Sequence, residues 1–98
     1  MSKSISYFMA NAVKENAQKP RKNSTGSVYS RHGVIYSYGE HYPLAIFAGG
    51  KVFVNATKYS TTTTRHKYHL KNALSQNGIL YSEITIQDMF TALKTYTR

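Results

Sequence analysis

The stretch that decides the fold is residues 44–55, which read Leu-Ala-Ile-Phe-Ala-Gly-Gly-Lys-Val-Phe-Val-Asn. Two runs of β-branched, aromatic and aliphatic residues flank Gly49-Gly50, and paired glycines supply the positive φ angles of a tight hairpin turn. With Ala48 opposite Lys51, the alternation of side chains sorts both strands into two faces. One face holds Ala45, Phe47, Val52 and Val54, and the other holds Leu44, Ile46, Lys51, Phe53 and Asn55. We expect the first face to form the core.

The same period of two extends toward the N-terminus. Val28-Tyr29 and the run from Val34 to Tyr38 have strand composition, and Arg31-His32-Gly33 between them suits a short hairpin loop with glycine at a positive φ. We therefore predict an antiparallel meander of three to four strands between Ser27 and Asn55.

An amphipathic helix precedes this sheet. Apolar residues recur at helical spacing from Ser4 to about Lys19, at Ile5, Phe8, Met9, Ala12 and Val13. Pro20 ends the pattern, and the polar residues around it predict a flexible basic loop at about 19–27.

A second helix is predicted from about Arg65 to Asn77, with a threonine of the preceding run as N-cap and Gly78 as the C-terminal stop. The helical period turns four residues toward the core, namely His66, Leu70, Ala73 and Leu74. It turns the others outward, namely Arg65, Lys67, Tyr68, Lys71, Asn72 and Gln76. This helix is therefore expected to have a basic, hydrogen-bonding outer face.

A third helix follows a capping-box pattern, in which Thr85 precedes Asp88 by three residues and Ile84 can pack on Met89. Its apolar stripe consists of Ile86, Met89, Phe90 and Leu93. The predicted fold is a single small α+β domain spanning residues 1–98, with an N-terminal helix, the meander and two C-terminal helices.

Charge is the clearest indication of function. The chain has thirteen Lys and Arg against four Asp and Glu, a net charge of +9. Between Asn16 and Ser82, nine basic residues stand against Glu40 alone, a net +8. Folding does not require this excess, which costs self-repulsion in the compact state, so it indicates a polyanionic partner. Charge kept only for solubility is the alternative.

The sequence lacks the residues that several other functions require. Without cysteine there is no disulfide framework, thiolate zinc site or thiol nucleophile, and His66 and His69 have no nearby carboxylate to complete a metal site. No nucleophile, paired carboxylates or phosphate loop stands out, so we expect no enzyme activity and no cofactor. With no apolar run of membrane-spanning length and no signal-peptide pattern, we expect a cytoplasmic protein that does not bind membranes.

The binding residues are predicted from cations that lie near tyrosines, because this mixture suits phosphate contacts together with base stacking. Most of the nine tyrosines, Tyr36 among them, are expected to be ordinary half-buried residues. The segment 55–69 is open to two interpretations, a phosphate cradle before a helix or a polar loop that caps it. The candidate binding residues are Arg21, Lys22, Arg31, Lys58, Tyr59, Arg65, Lys67, Tyr68, Lys71 and Asn72.

A resemblance to known proteins rests on three short motifs of the sequence. Residues 36–45 read YSYGEHYPLA, residues 54–60 read VNATKYS and residues 63–66 read TTRH. Together they resemble a core, at about 36–70, of short uncharacterised proteins of bacteriophages and mobile elements. The word NATK at 55–58 is also similar to one in viral DNA-binding domains of the KilA-N type. The resemblance implies a phage or mobile-element origin, where small basic proteins act on nucleic acid or block host defence.

The expected function is therefore binding of DNA or RNA through phosphate contacts with weak sequence preference. One alternative is a phage anti-defence inhibitor, for example of CRISPR or restriction enzymes, which covers an acidic or nucleic-acid-binding surface of a host protein. Another is a small virion or assembly component that forms stable homo-oligomers. A phage protein of any of these kinds is expected in the cytoplasm of the host cell.

Overall fold

The computed structural model of the chain describes residues 5–22, 27–37, 42–57 and 61–96. The elements in chain order are α1 (Ile5–Lys14), β1 (Arg21–Lys22), β2 (Val28–Arg31), β3 (Val34–Ser37), β4 (Pro43–Ala48), β5 (Lys51–Asn55), α2 (Thr61–Gln76), β6 (Ser82–Ile84) and α3 (Ile86–Tyr96). The predicted α+β class and the order of helix, sheet and two helices are confirmed.

The central meander forms as the sequence predicts. Strands β2 to β5 are antiparallel neighbours in chain order. Ala48 lies opposite Lys51, and both glycines between them have positive φ, 59° and 77°. The turn between β2 and β3 is similar, with φ of 52° at His32 and 83° at Gly33. Both hairpins therefore use two-residue turns in the left-handed region.

The sheet is wider than predicted, because a strand is added at each edge. β1 pairs antiparallel with β2 and β6 pairs parallel with β5, which gives a mixed sheet of six strands. Apart from the half-buried Ile84, their side chains are exposed and polar, so neither strand shows an apolar alternation in the sequence. Arg21 and Lys22 form β1 and belong to the sheet, although the sequence predicts a flexible basic loop at about 19–27. Residues 23–26 of that segment lie outside the described part of the chain.

Helices cover both faces of the sheet. The predicted core face packs against α1 and α2 in a cluster that includes Met9, Val13, Ile35, Val54, Leu70 and Leu74. The opposite face holds a smaller cluster of Val34, Ile46 and Met89 under α3. The core-face prediction is confirmed, and the second face is buried as well where α3 covers it.

Leu44 lies on a different face from the one predicted. Ile35 lies opposite Ala45 while Tyr36 lies opposite Pro43, so Leu44 is an extra residue in β4. Such a bulge interrupts the strict alternation of side chains. Leu44 consequently packs in the core with α1 and α2, and not with Ile46.

The first helix ends at Lys14, earlier than the predicted end near Lys19. Asn16 and Ala17 adopt left-handed φ angles of 54° and 55°, and the Ala17 N–H donates to the Ala12 oxygen at 2.8 Å. The Ala17 oxygen then accepts from the N–H of Gly33 at 2.8 Å. This tertiary contact ends the helix before Pro20 does.

The second helix begins at Thr61 and not near Arg65, so the predicted threonine cap is wrong. Thr63 is buried, and packing of this first turn outweighs the modest helix propensity of threonine. The predicted stop is confirmed, since Gly78 has φ of 67° and follows the last turn.

The third helix begins as predicted, with the Thr85 hydroxyl accepting from the Asp88 N–H at 3.2 Å. Of its predicted stripe, Met89 is buried, but Phe90 is 38% exposed and lies outside both cores. The helix packs mainly on β4 and β5, so its buried face is too narrow to include all four residues of the predicted stripe.

Candidate nucleic-acid interface

Four side chains line the same face of β1, β2 and β3, and we call them the sheet-face patch: Lys22, Tyr29, Arg31 and Tyr36. Lys22 lies opposite Tyr29, which lies opposite Tyr36, so the three form a row across the strands. Arg31 shares this face because it lies two residues beyond Tyr29. Tyr36 packs against the cluster under α3, which places the patch on the α3 side of the sheet.

The two tyrosines of the patch stack, with ring centroids 5.0 Å apart and planes inclined by 25°. Both rings are half-buried, whereas Lys22 and Arg31 are exposed. Beside them lies a hollow of about 330 Å³ that is lined by Pro20, Arg21, Lys22, Tyr29, Ser30 and Arg31. The patch therefore combines an aromatic surface with two neighbouring cations.

Arg21 belongs to the opposite face of β1, because it lies opposite the buried Ser30. Its Nε donates to the two carboxylate oxygens of Glu15 at 2.8 and 2.7 Å, and its Nη2 also contacts Oε1. This hydrogen bonding lowers the pKa of Glu15 and raises that of Arg21. Arg21 thus serves to join β1 to the end of α1.

A second candidate surface is the outer side of α2, which we call the α2 patch: Arg65, Tyr68 and Asn72. All three are exposed as predicted, Tyr68 by 62%, and its ring meets that of His69 edge-on with centroids 5.5 Å apart. Since α2 packs on the sheet face opposite to α3, the two patches belong to opposite sides of the sheet. The predicted site residues do not converge on one surface.

The prediction that Lys67 points outward is wrong. It is only 8% exposed, and its Nζ donates to the main-chain oxygens of Asn55 and Thr57, both at 3.1 Å. A long lysine stem can lie along apolar surface while its ammonium reaches carbonyl oxygens. Lys71 is partly buried and its Nζ binds Glu83 Oε1 at 3.0 Å. The ammonium groups of both lysines are therefore held by contacts within the protein.

Asn55 and Thr57, at the start of segment 55–69, use their polar groups internally. The Asn55 amide donates to the Pro43 oxygen and accepts from the Thr57 N–H, both at 2.9 Å. The Thr57 hydroxyl in turn accepts from the Ile86 N–H at 3.0 Å. These contacts favour the structural interpretation of the segment. Lys58 and Tyr59, the other candidates here, lie outside the described residues.

His66 is a buried member of the same region. Its Nδ1 lies 2.9 Å from the Ser37 hydroxyl, which joins α2 to the end of β3. Burial lowers the pKa of this imidazole, and the nearby His69 and Arg65 lower it further. His66 therefore stays neutral in the folded protein near neutral pH and has a structural role.

Tyr29 and Tyr36 are absent from the predicted site residues, and Tyr36 is among the tyrosines expected to be ordinary half-buried residues. The turn at His32-Gly33 is one residue shorter than the predicted loop of Arg31-His32-Gly33, and this difference places Tyr29 opposite Tyr36. What the sequence could not show is how much of that face α3 leaves uncovered.

Within the described ranges, no cluster of three or more His, Asp or Glu side chains could hold a metal ion. None of the helices in the same ranges has both the length and the hydropathy needed to cross a membrane. Comparison of the chain with protein-family models, curated proteins and solved structures found no match.

Proposed function

We propose that the protein binds nucleic acid, DNA or RNA, through phosphate contacts with weak sequence preference. The observation that carries this proposal is the sheet-face patch, in which exposed Lys22 and Arg31 lie next to a stacked tyrosine pair. Cations contact phosphates and aromatic rings contact bases, and the net charge of +9 attracts a polyanion over longer distances.

Weak sequence preference follows from the side chains in the patch. Lysine is a point charge that suits phosphate, and the faces of tyrosine rings accept any base. Of the side chains that could read base edges, Arg65 and Asn72 belong to the α2 patch on the other side of the sheet, and the sheet-face patch contains only Arg31. We therefore expect the patch to contribute affinity for nucleic acid and little discrimination between base sequences.

The test is a titration of fluorescent single-stranded and duplex probes of random sequence, followed by anisotropy at salt concentrations between about 50 and 200 mM. We expect binding at low salt and a steep loss of affinity as salt rises, because cations that neutralise phosphates release counterions. Failure to bind any probe at the lowest salt would contradict the proposal. A protein partner would then be the expectation to test.

A further inference from the structure

We propose that the sheet-face patch binds single-stranded nucleic acid and that the hollow beside Tyr29 receives one unpaired base stacked on its ring. This inference rests on the proposed function and specifies its ligand. It concerns the sheet-face patch and the hollow at the β1 edge of the sheet, and it assigns no contact to the α2 patch.

The shape of the hollow favours one planar group. Its volume of about 330 Å³ is at the lower end of the range for small-molecule sites, and Pro20 and Tyr29 give it apolar walls. Tyr36 supports the Tyr29 ring by stacking on it at 5.0 Å. A ring held in this way loses little side-chain freedom when a base stacks on it, which favours binding.

Two cations lie beside Tyr29 in different directions. The backbone of Lys22 is on the adjacent strand, about 4.8 Å from that of Tyr29 along the direction of the hydrogen bonds. The backbone of Arg31 is two residues farther along β2, about 6.6 Å away. Both side chains are long and exposed, so a strand with its base beside Tyr29 has two cations within reach of its phosphates.

A duplex does not offer this contact. Its bases are paired and stacked on one another, so a base face becomes accessible only after unstacking, which costs a few kcal/mol. Single strands present base faces at no such cost, and stacking on aromatic side chains is their common mode of binding. Neither stacking nor a phosphate contact reads the 2′-hydroxyl, so DNA and RNA strands should bind similarly.

The first experiment measures anisotropy with oligo-dT, oligo-rU and a duplex of equal length. The substitution Tyr29→Val, which keeps a good strand former, should weaken single-strand binding about 5- to 150-fold, equivalent to one lost base stack of about 1–3 kcal/mol. Lys22→Gln and Arg31→Gln should each lower the slope of log affinity against log salt by about 0.7.

The α2 patch supplies matched controls, since Tyr68 and Arg65 are an exposed tyrosine and arginine on the other side of the sheet. Tyr68→Val and Arg65→Gln should change single-strand affinity less than about twofold, a difference of roughly 0.4 kcal/mol. Circular dichroism and thermal unfolding check that every variant is folded.

A second measurement does not depend on removing a ring. The chain contains no tryptophan, so Tyr29→Trp adds a single indole that a stacked base should quench, whereas Tyr68→Trp should show little quenching. Three results would overturn the inference while the proposed function stands. They are tighter binding of the duplex than of the single strands, binding of only dT or only rU, and loss of affinity in the Tyr68 variant but not in the Tyr29 variant. Failure of all probes with the unmodified protein would overturn both.

Discussion

The ammonium of Lys67 lies 3.1 Å from the main-chain oxygen of Asn55, although helical periodicity places this lysine on the outer side of α2. The same Nζ donates to the Thr57 oxygen, also at 3.1 Å. One side chain thus joins α2 to the segment that follows β5. The contact makes Lys67 a structural residue.

The first prediction is that Lys67→Met lowers the free energy of unfolding by about 1–3 kcal/mol, because two carbonyl oxygens lose their charged donor. Urea unfolding measures the change. Arg65→Met is the control, since an exposed side chain of the same helix should change stability by less than about 0.5 kcal/mol. Equal effects of the two substitutions would show that the Lys67 contacts contribute nothing.

The second prediction concerns the amide of Asn55, which donates to one main-chain group and accepts from another. Asn55→Asp keeps the shape but removes the donor to Pro43 and buries a charge, so it should destabilise the fold by about 2–4 kcal/mol. The same change at the exposed Asn72 should have an effect below about 0.5 kcal/mol. Thermal unfolding of both variants at neutral pH distinguishes them.

The third prediction compares two glycines with positive φ. A Cβ at Gly33 would lie 2.8 Å from the Phe47 oxygen and 2.9 Å from Gln18 Nε2, whereas a Cβ at Gly49 meets nothing within 4 Å. Gly49→Ala should therefore cost only the left-handed strain of about 1–2 kcal/mol. Gly33→Ala adds a steric clash and should cost about 2–5 kcal/mol in total. Similar unfolding midpoints for the two variants would contradict the close approach at Gly33.

The fourth prediction is an acid sensitivity that depends on His66. The folded state lowers the pKa of its imidazole below the ordinary value of 6.5, so the unfolded chain takes up a proton more readily. The contribution of His66 to stability is therefore complete above about pH 6.5 and is lost as the pH falls below that value through the folded pKa.

Urea unfolding between about pH 7.5 and pH 5 tests this dependence, because the interval spans the ordinary histidine value. His66→Gln should reduce the change in stability over that range, while His69→Gln should retain most of it, because burial is the largest cause of the lowered pKa and His66 stays in place beside Ser37. An unchanged pH profile in the His66 variant would assign the acid sensitivity to another group.

Much of the fold could be predicted from local sequence. The Gly49-Gly50 turn fixes the β4–β5 register, because positive φ at both positions matches the twist of a two-residue hairpin. The cap at Thr85 likewise depends on a hydroxyl and an N–H three residues apart. Such features involve neighbours in the chain, so residue types and spacing are sufficient to find them.

The edge strands and the bulge could not be predicted in this way. β1 and β6 join the sheet through main-chain hydrogen bonds, which any residue except proline can both donate and accept, so their side chains need follow no pattern. The extra residue Leu44 is placed by the pairing of β3 with β4, and alternation alone gives it the wrong face.

The features of the candidate site likewise fall into those that the sequence predicts and those that depend on the tertiary structure. The sequence by itself determined the excess of positive charge and the exposure of Arg65, Tyr68 and Asn72 on the outer side of α2. Only the tertiary structure decided that Tyr29 lies opposite Tyr36 and which cations are exposed, because a helical or strand period gives a direction and not a neighbour. Lys67 turns inward since main-chain carbonyl oxygens lie beside α2, and the sheet-face patch stays accessible since α3 packs mainly on β4 and β5.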